Sequence, residues 1–198
     1  PAEATIAVDS DGVGQDGRRL PSSKLLPIPH LTAVLGLRGQ LAFLSFLHMR
    51  AASSAFDTFD DLLDAMPALL AEADTFTACS GLTVDTNGAL AGNELLAVGW
   101  SPREKRMLGL QCVKRGDMPA FSVQEVDRHV SPWHASMQGI RIAPANVAQI
   151  ARAQVRWMRE SFPQAACGGS LIVCRLSRNA MTLRHEFTFQ PQDQEATA

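Results

Sequence analysis

Residues 4–39 read ATIAVDSDGVGQDGRRLPSSKLLPIPHLTAVLGLRG, and the order of parts in this stretch decides how the rest of the chain is read. Ala4 to Val8 is a short β-prone run, and Asp9-Ser10-Asp11-Gly12 is a cluster of turn formers. Gly12 to Ser23, with its glycines, Arg18-Arg19 and Pro21, is expected as a loop. Lys24 then opens a second apolar run. Within it, Pro27 and Pro29 predict an edge strand or a break, because proline cannot donate to a central ladder. Leu31 to Leu35 reads as a buried strand, ended by Gly36 and Gly39 at a strand-to-helix corner.

Beyond Gly39 the hydrophobic period lengthens. Leu41, Phe43, Leu44 and Leu47 share one helical face, which predicts a helix from Gln40 to about Ala52. A second helix starts at Asp57 or Thr58, both good N-caps, with Asp60 and Asp61 in the first turn where the helix dipole favours acids. Its buried stripe is Leu62, Leu63, Met66, Leu69 and Leu70, and Pro67 is expected to kink it.

Phe76 to Val84 and Ala89 to Trp100 read as strands around an Asn87-Gly88 hairpin turn. Met107 to Val113 follows as a further strand after the turn at Ser101–Arg106, and residues 114–143 read as irregular. A helical period returns at Val147, Ile150, Ala151, Val155, Met158 and Phe162, with Pro144 placed for its start. Ser170 to Leu176, a turn at Ser177-Arg178-Asn179, and an alternating strand from Met181 to Phe189 complete the pattern. From about residue 190 the tail is polar and expected to fray.

Composition narrows the classes of function. The chain has 198 residues, of which 46% are hydrophobic, and its mean hydropathy is −0.01. These values fit one globular domain over residues 1–198, with no run long enough to cross a bilayer and no signal peptide pattern. A net charge of −2 and a pI near 6.2 argue against nucleic acid as a partner. The basic pair Lys114-Arg115 reads as a solvated strand end. Cys79, Cys112, Cys167 and Cys174 form no CxxC pair and have no histidine at metal spacing, so the sequence calls for no metal or cofactor. The cysteines fit a reducing, cytoplasmic setting.

Strands, two helices, strands, a long helix and closing strands make an α+β arrangement. That order is similar to the four-layer αββα sandwich of proteasome β-type subunits, which belong to the N-terminal nucleophile hydrolases. Ala7-Val8-Asp9-Ser10 resembles the family's step from strand to aspartate, and Lys24-Leu25 its lysine-opened strand. Gly39-Gln40-Leu41-Ala42 resembles the glycine and helix start that follow, and Cys167-Gly168-Gly169-Ser170 the Gly-rich step after the long helix. The resemblance covers most of the chain, and the order of these weak motifs carries it.

In active members the first residue's hydroxyl attacks and its own α-amine serves as base. The resemblance implies supporting roles for Asp9, Lys24 and Gly39: aspartate holding lysine, lysine favouring the alkoxide, and a glycine amide meeting the oxyanion. Thr5 is disfavoured as nucleophile. Only three residues separate it from Asp9, whereas a strand, a turn and a returning strand need on the order of ten. The first, nucleophile-bearing strand is therefore expected to be absent from this chain.

Two functions follow from the resemblance. One is a non-catalytic structural or assembly subunit, a homo-oligomer or part of a larger assembly. Because divergent, shortened versions resemble phage-encoded proteins, such an assembly could be a virion or tail component. The other is a threonine-type peptidase or amidohydrolase whose nucleophile strand lies upstream of Pro1. A third and weaker reading is a ligand site at Ser131-Pro132-Trp133-His134, where packing of Trp133 against the core is the expectation. His30, His48, His129, His134 and His185 are scattered, and none is assigned as base or ligand.

Overall fold

The computed structural model describes residues 1–13, 18–79, 92–115, 118–163, 165 and 167–190. Its strands are β1 (Glu3–Asp9), β2 (Asp11–Val13), β3 (Arg19–Pro21), β4 (Leu25–Ile28) and β5 (Ala33–Arg38), followed by β6 (Asn93–Ser101), β7 (Arg106–Lys114), β8 (Ser122–Glu125), β9 (Ser170–Ser177) and β10 (Ala180–Thr188). Its helices are α1 (Leu41–Ser53), α2 (Phe59–Cys79) and α3 (Val147–Ser161). The chain divides into two compact units. One holds Pro1–Ala4, Lys24–Asp127 and Arg175–Met181, and the other holds Thr5–Ser23, Arg128–Cys174 and Thr182–Ala198.

The first unit is built on an antiparallel sheet in the order β4-β5-β6-β7-β8. Pro27 explains the position of β4, since a proline is tolerated at a sheet edge, and Leu25 pairs with Gly36. Alternation along the strands sends Ala33, Leu35, Leu37, Leu95, Ala97, Leu108 and Cys112 into one buried cluster. Phe43, Leu44, Leu47 and Ala51 of α1 enter the same cluster, as do Phe59, Leu62, Met66, Leu69, Leu70 and Ala73 of α2. Each such large side chain contributes about 1.5–3 kcal/mol by leaving water. Gly99 lets α2 come close: a Cβ there would lie 2.6 Å from the Phe59 ring.

Both expected helices are present in this unit. The Thr58 N-cap works as a two-way box. Asp61 N–H donates to Thr58 Oγ1 at 3.2 Å, and Thr58 N–H donates to the Asp61 carboxylate at 2.9 Å. Asp60 does more than complement the dipole. Although buried, it accepts from Ser101 Oγ at 2.6 Å and from Arg103 N–H at 2.8 Å, which ties α2 to the β6–β7 turn.

Three expectations for this unit need correction. Gly36 lies inside β5, between Leu25 and Leu96, so Gly39 alone ends that strand. Phe76 to Cys79 continues α2 instead of starting a strand. The helical stripe extends through Ala73 to buried Thr77, and Phe76 stacks on Phe46 of α1 at 5.0 Å, which outweighs local β-propensity. The remainder of that expected strand, and the Asn87-Gly88 turn, lie outside the described residues. Within residues 114–143, read as irregular, Ser122–Glu125 pairs with β7, and its wholly exposed side chains left no alternation to detect.

The second unit carries most of the sheet β1-β9-β10, the small hairpin β2–β3 and α3. Asp11 and Gly12, read as turn and loop, instead pair with Pro21 and Leu20. The α3 stripe of Ile150, Ala151, Val155 and Met158 is buried as its period implied, and Pro144 begins a short 3-10 turn just ahead of it. The Arg152 guanidinium of α3 lies 4.1 Å over the Phe187 ring of β10. β10 forms an edge of the described sheet. Its alternating sequence is not matched by alternating burial, for only Met181 and Phe187 are half-buried.

Candidate functional site

Asp9 and Ser10 end β1 and are held by the glycine pair that precedes β9. Gly168 N–H donates to the Asp9 carboxylate at 2.8 Å, and Ser10 N–H donates to Gly168 O at 3.2 Å. Ser170 N–H donates to Ser10 Oγ at 2.8 Å, and Ser22 N–H donates to Ser10 O at 2.8 Å. Space is short here. Gly169 has φ +66°, and a Cβ on it would come within 2.9 Å of Ser10 Oγ. The corner thus joins three segments far apart in sequence, and a carboxylate accepting a backbone amide is one of its fasteners.

Thr5 lies in the interior of the same strand that carries Asp9. Four residues of extended chain separate their Cα atoms by about 13 Å. Asp9 therefore follows Thr5 directly along one strand, with no intervening turn to fold the threonine back beside it.

Lys24 and Gly39 belong to the first unit and share one end of the β4–β5 pair. Leu37 N–H donates to Lys24 O at 2.9 Å, one step beyond the Leu25–Gly36 pairing, and Gly39 follows two residues later. Gly39 has φ +136°, a conformation that penalises a Cβ, and a Cβ would sit 2.3 Å from Asn93 Oδ1. Asn93 Oδ1 instead accepts the Gln40 N–H at 2.9 Å, fixing the chain as it enters α1. Lys24 and Gly39 were singled out in the sequence only as positions that the family resemblance marks. The Asn93 clasp was not, because it comes from 53 residues away.

A polar network across the same sheet also escaped the sequence reading. Arg38 donates to Glu94 Oε2 through Nη2 at 2.8 Å and Nε at 3.0 Å, and Gln111 Nε2 donates to Glu94 Oε1 at 2.6 Å. Glu94 and Gln111 are buried. Burial of a carboxylate requires such partners, so Glu94 in an otherwise apolar strand was the available signal. Lys114, read as solvated, is ion-paired with Asp74 of α2.

The remaining candidates stay apart. Trp133 is exposed instead of packed into the core, while His134 stacks on Trp157 at 4.5 Å and accepts Ser136 N–H at 3.1 Å. Cys112 and Cys174 are buried, and loss of water pushes their thiols up to about 12 and about 11. Cys79, read as strand-like and apolar, is exposed at the end of α2. Among the described residues no three His, Cys, Asp or Glu side chains gather to hold a metal, and no helix is long and apolar enough to cross a membrane.

No protein-family model matches the sequence, and no curated protein does. The fold is nonetheless similar to that of a solved structure, the Anbu (Gly-1) mutant from Hyphomicrobium sp. strain MC1. The two are 11% identical with a TM-score of 0.64, over 96% of this chain and 86% of that one. At that identity the likeness concerns the fold alone.

Proposed function

We propose that this chain is a proteasome-like subunit that acts as a structural or assembly component and carries no nucleophile of its own. The two units are read as parts of one such domain, of the αββα class that the family resemblance implies. The observation that carries the proposal is the placement of Thr5 and Asp9 on one continuous strand, about 13 Å apart. An N-terminal threonine needs a free α-amine beside its supporting groups. Thr5 has neither the spacing nor the turn that would deliver it.

The supporting residues fit structural duties. Asp9 holds the amide of Gly168, and Gly39 gives Asn93 room to cap the chain entering α1. Assembly is the function left to a proteasome-like scaffold without chemistry. The resemblance to phage-encoded relatives is the basis for setting that assembly in a virion or its tail.

A second reading rests on the Lys24–Gly39 neighbourhood, which keeps two of the three supporting positions at one end of β4–β5. It makes the chain a threonine-type peptidase or amidohydrolase whose nucleophile strand precedes Pro1. Determining the mature N-terminus of protein expressed from the complete reading frame separates the two. A processed Thr, Ser or Cys ahead of a further strand overturns the non-catalytic reading. A mature chain without one supports it.

A further inference from the structure

The exposed edge of β10 points to a second copy of this chain as its partner. We propose that two copies pair antiparallel through β10 about a twofold axis at His185. This inference names a surface that the assembly reading leaves open, and it stands whether or not the chain is catalytic.

The two larger sheets have four edge strands, β1 with seven residues, β4, β8 and β10, and they are treated differently. β4 has four residues including Pro27, and β8 has four residues with Glu125 held by Arg106 at 2.7 Å. Both are short, and each carries a device that discourages further pairing. β10 has nine residues, Ala180-Met181-Thr182-Leu183-Arg184-His185-Glu186-Phe187-Thr188, with no proline, glycine or lysine. Such an edge offers a row of backbone donors and acceptors to another strand.

The side chains then select the strand. Antiparallel pairing centred on His185 places Arg184 opposite Glu186, Leu183 opposite Phe187, and Thr182 opposite Thr188, each twice by symmetry. All three are favourable cross-strand combinations. Moving the centre to Arg184 sets two arginines face to face, and moving it to Glu186 sets two glutamates so. The charges that block those registers and most foreign strands are complementary only in the one centred on His185. Arg184 and Glu186 have no ion-pair partner among the described residues, and Leu183 is 47% exposed. The contacts already present leave this edge available. His185 Nε2 meets Thr188 Oγ1 at 3.1 Å, Thr188 Oγ1 meets Ser170 Oγ at 3.2 Å, and Phe187 packs under Arg152.

Charge reversal tests the register. By sedimentation equilibrium the wild-type chain is expected to dimerise. R184E and E186R, which each set like charges opposite one another twice, should weaken the dimer about tenfold or more. The double variant R184E/E186R restores opposite charges and should recover most of the affinity. Equal affinity in all forms, or a double variant as weak as the single ones, overturns the proposal. Both side chains are exposed, so circular dichroism of each variant should match that of the wild type.

A disulfide test reads the pairing directly. On a C79S background, H185C faces its own symmetry mate at a Cα separation of about 4.5–5.5 Å, within disulfide reach. Mild oxidation should give a covalent dimer with H185C and none with R184C, whose mate lies two residues out of register. A protein that assembles by mass but gives no H185C disulfide sinks the β10 interface and leaves the assembly reading intact. A processed nucleophile at the mature N-terminus would do the reverse.

Discussion

The Asp9 carboxylate accepts the backbone N–H of Gly168 at 2.8 Å, joining the end of β1 to the glycine pair that leads into β9. Ser10 reinforces the same junction through its own N–H and its Oγ. A residue that the family resemblance marks as catalytic support thus has a structural task in this chain.

Removal of that carboxylate should cost stability. Asp9→Ala leaves the amide of buried Gly168 without this acceptor and is expected to lower unfolding free energy by about 1–3 kcal/mol. Asp9→Asn keeps a carbonyl oxygen and should cost clearly less. Urea unfolding at neutral pH compares the two, and equal stability of all three forms would contradict the structural role.

Asp60 fastens α2 to the β6–β7 turn through Ser101 and Arg103. Asp60→Ala strands a buried hydroxyl and a half-buried amide and should cost about 2–3 kcal/mol, visible as a lowered thermal midpoint. By contrast, Asp64→Ala, at the exposed pair with Arg103, should change the midpoint little.

Arg38 and Glu94 supply a sharper case. Arg38→Met removes the Arg38 guanidinium from the buried Glu94 carboxylate, a change expected to cost up to about 3–5 kcal/mol. Arg38→Met combined with Glu94→Leu removes both charges and should recover part of the loss. Chemical denaturation of the single and double variants measures the coupling.

Alkaline pH should act through Cys112. Its thiol titrates near 9.0 when unperturbed but is pushed up to about 12 in the folded chain. Between those values the unfolded chain binds fewer protons, so stability is full below about 9 and falls as pH rises. The slope is about 1.4 kcal/mol per pH unit for such a thiol. The chain contains no tyrosine to add a phenolic titration in the same range. Cys112→Ala should make the profile clearly shallower between pH 9 and 11, where buried Cys174, pushed up to about 11, still acts in the same sense. In the native state at pH 8, a thiol reagent followed by peptide mapping should modify exposed Cys79 well before Cys112 and Cys174.

The sequence carried most of the fold because its helices announce themselves locally. The α1 and α3 stripes, the Thr58 cap and the proline-marked edge of β4 were all readable from short windows. The end of α2 was not, since Phe76 and Thr77 favour a strand until packing against α1 and the helical stripe are known. β8 was hidden because an exposed edge strand shows no alternation. For the candidate site, the family resemblance marked Asp9, Lys24 and Gly39. What holds two of them, Gly168 for Asp9 and Asn93 beside Gly39, lies 159 and 53 residues away across the recorded bonds, where no motif can report it.

The central claim is that this chain carries no nucleophile of its own. Intact mass spectrometry after exposure to a peptide β-lactone, which acylates an N-terminal hydroxyl nucleophile, tests it most directly on protein expressed from the complete reading frame. The account predicts an unmodified mass. A single added acyl group mapping to an N-terminal Thr, Ser or Cys would contradict it.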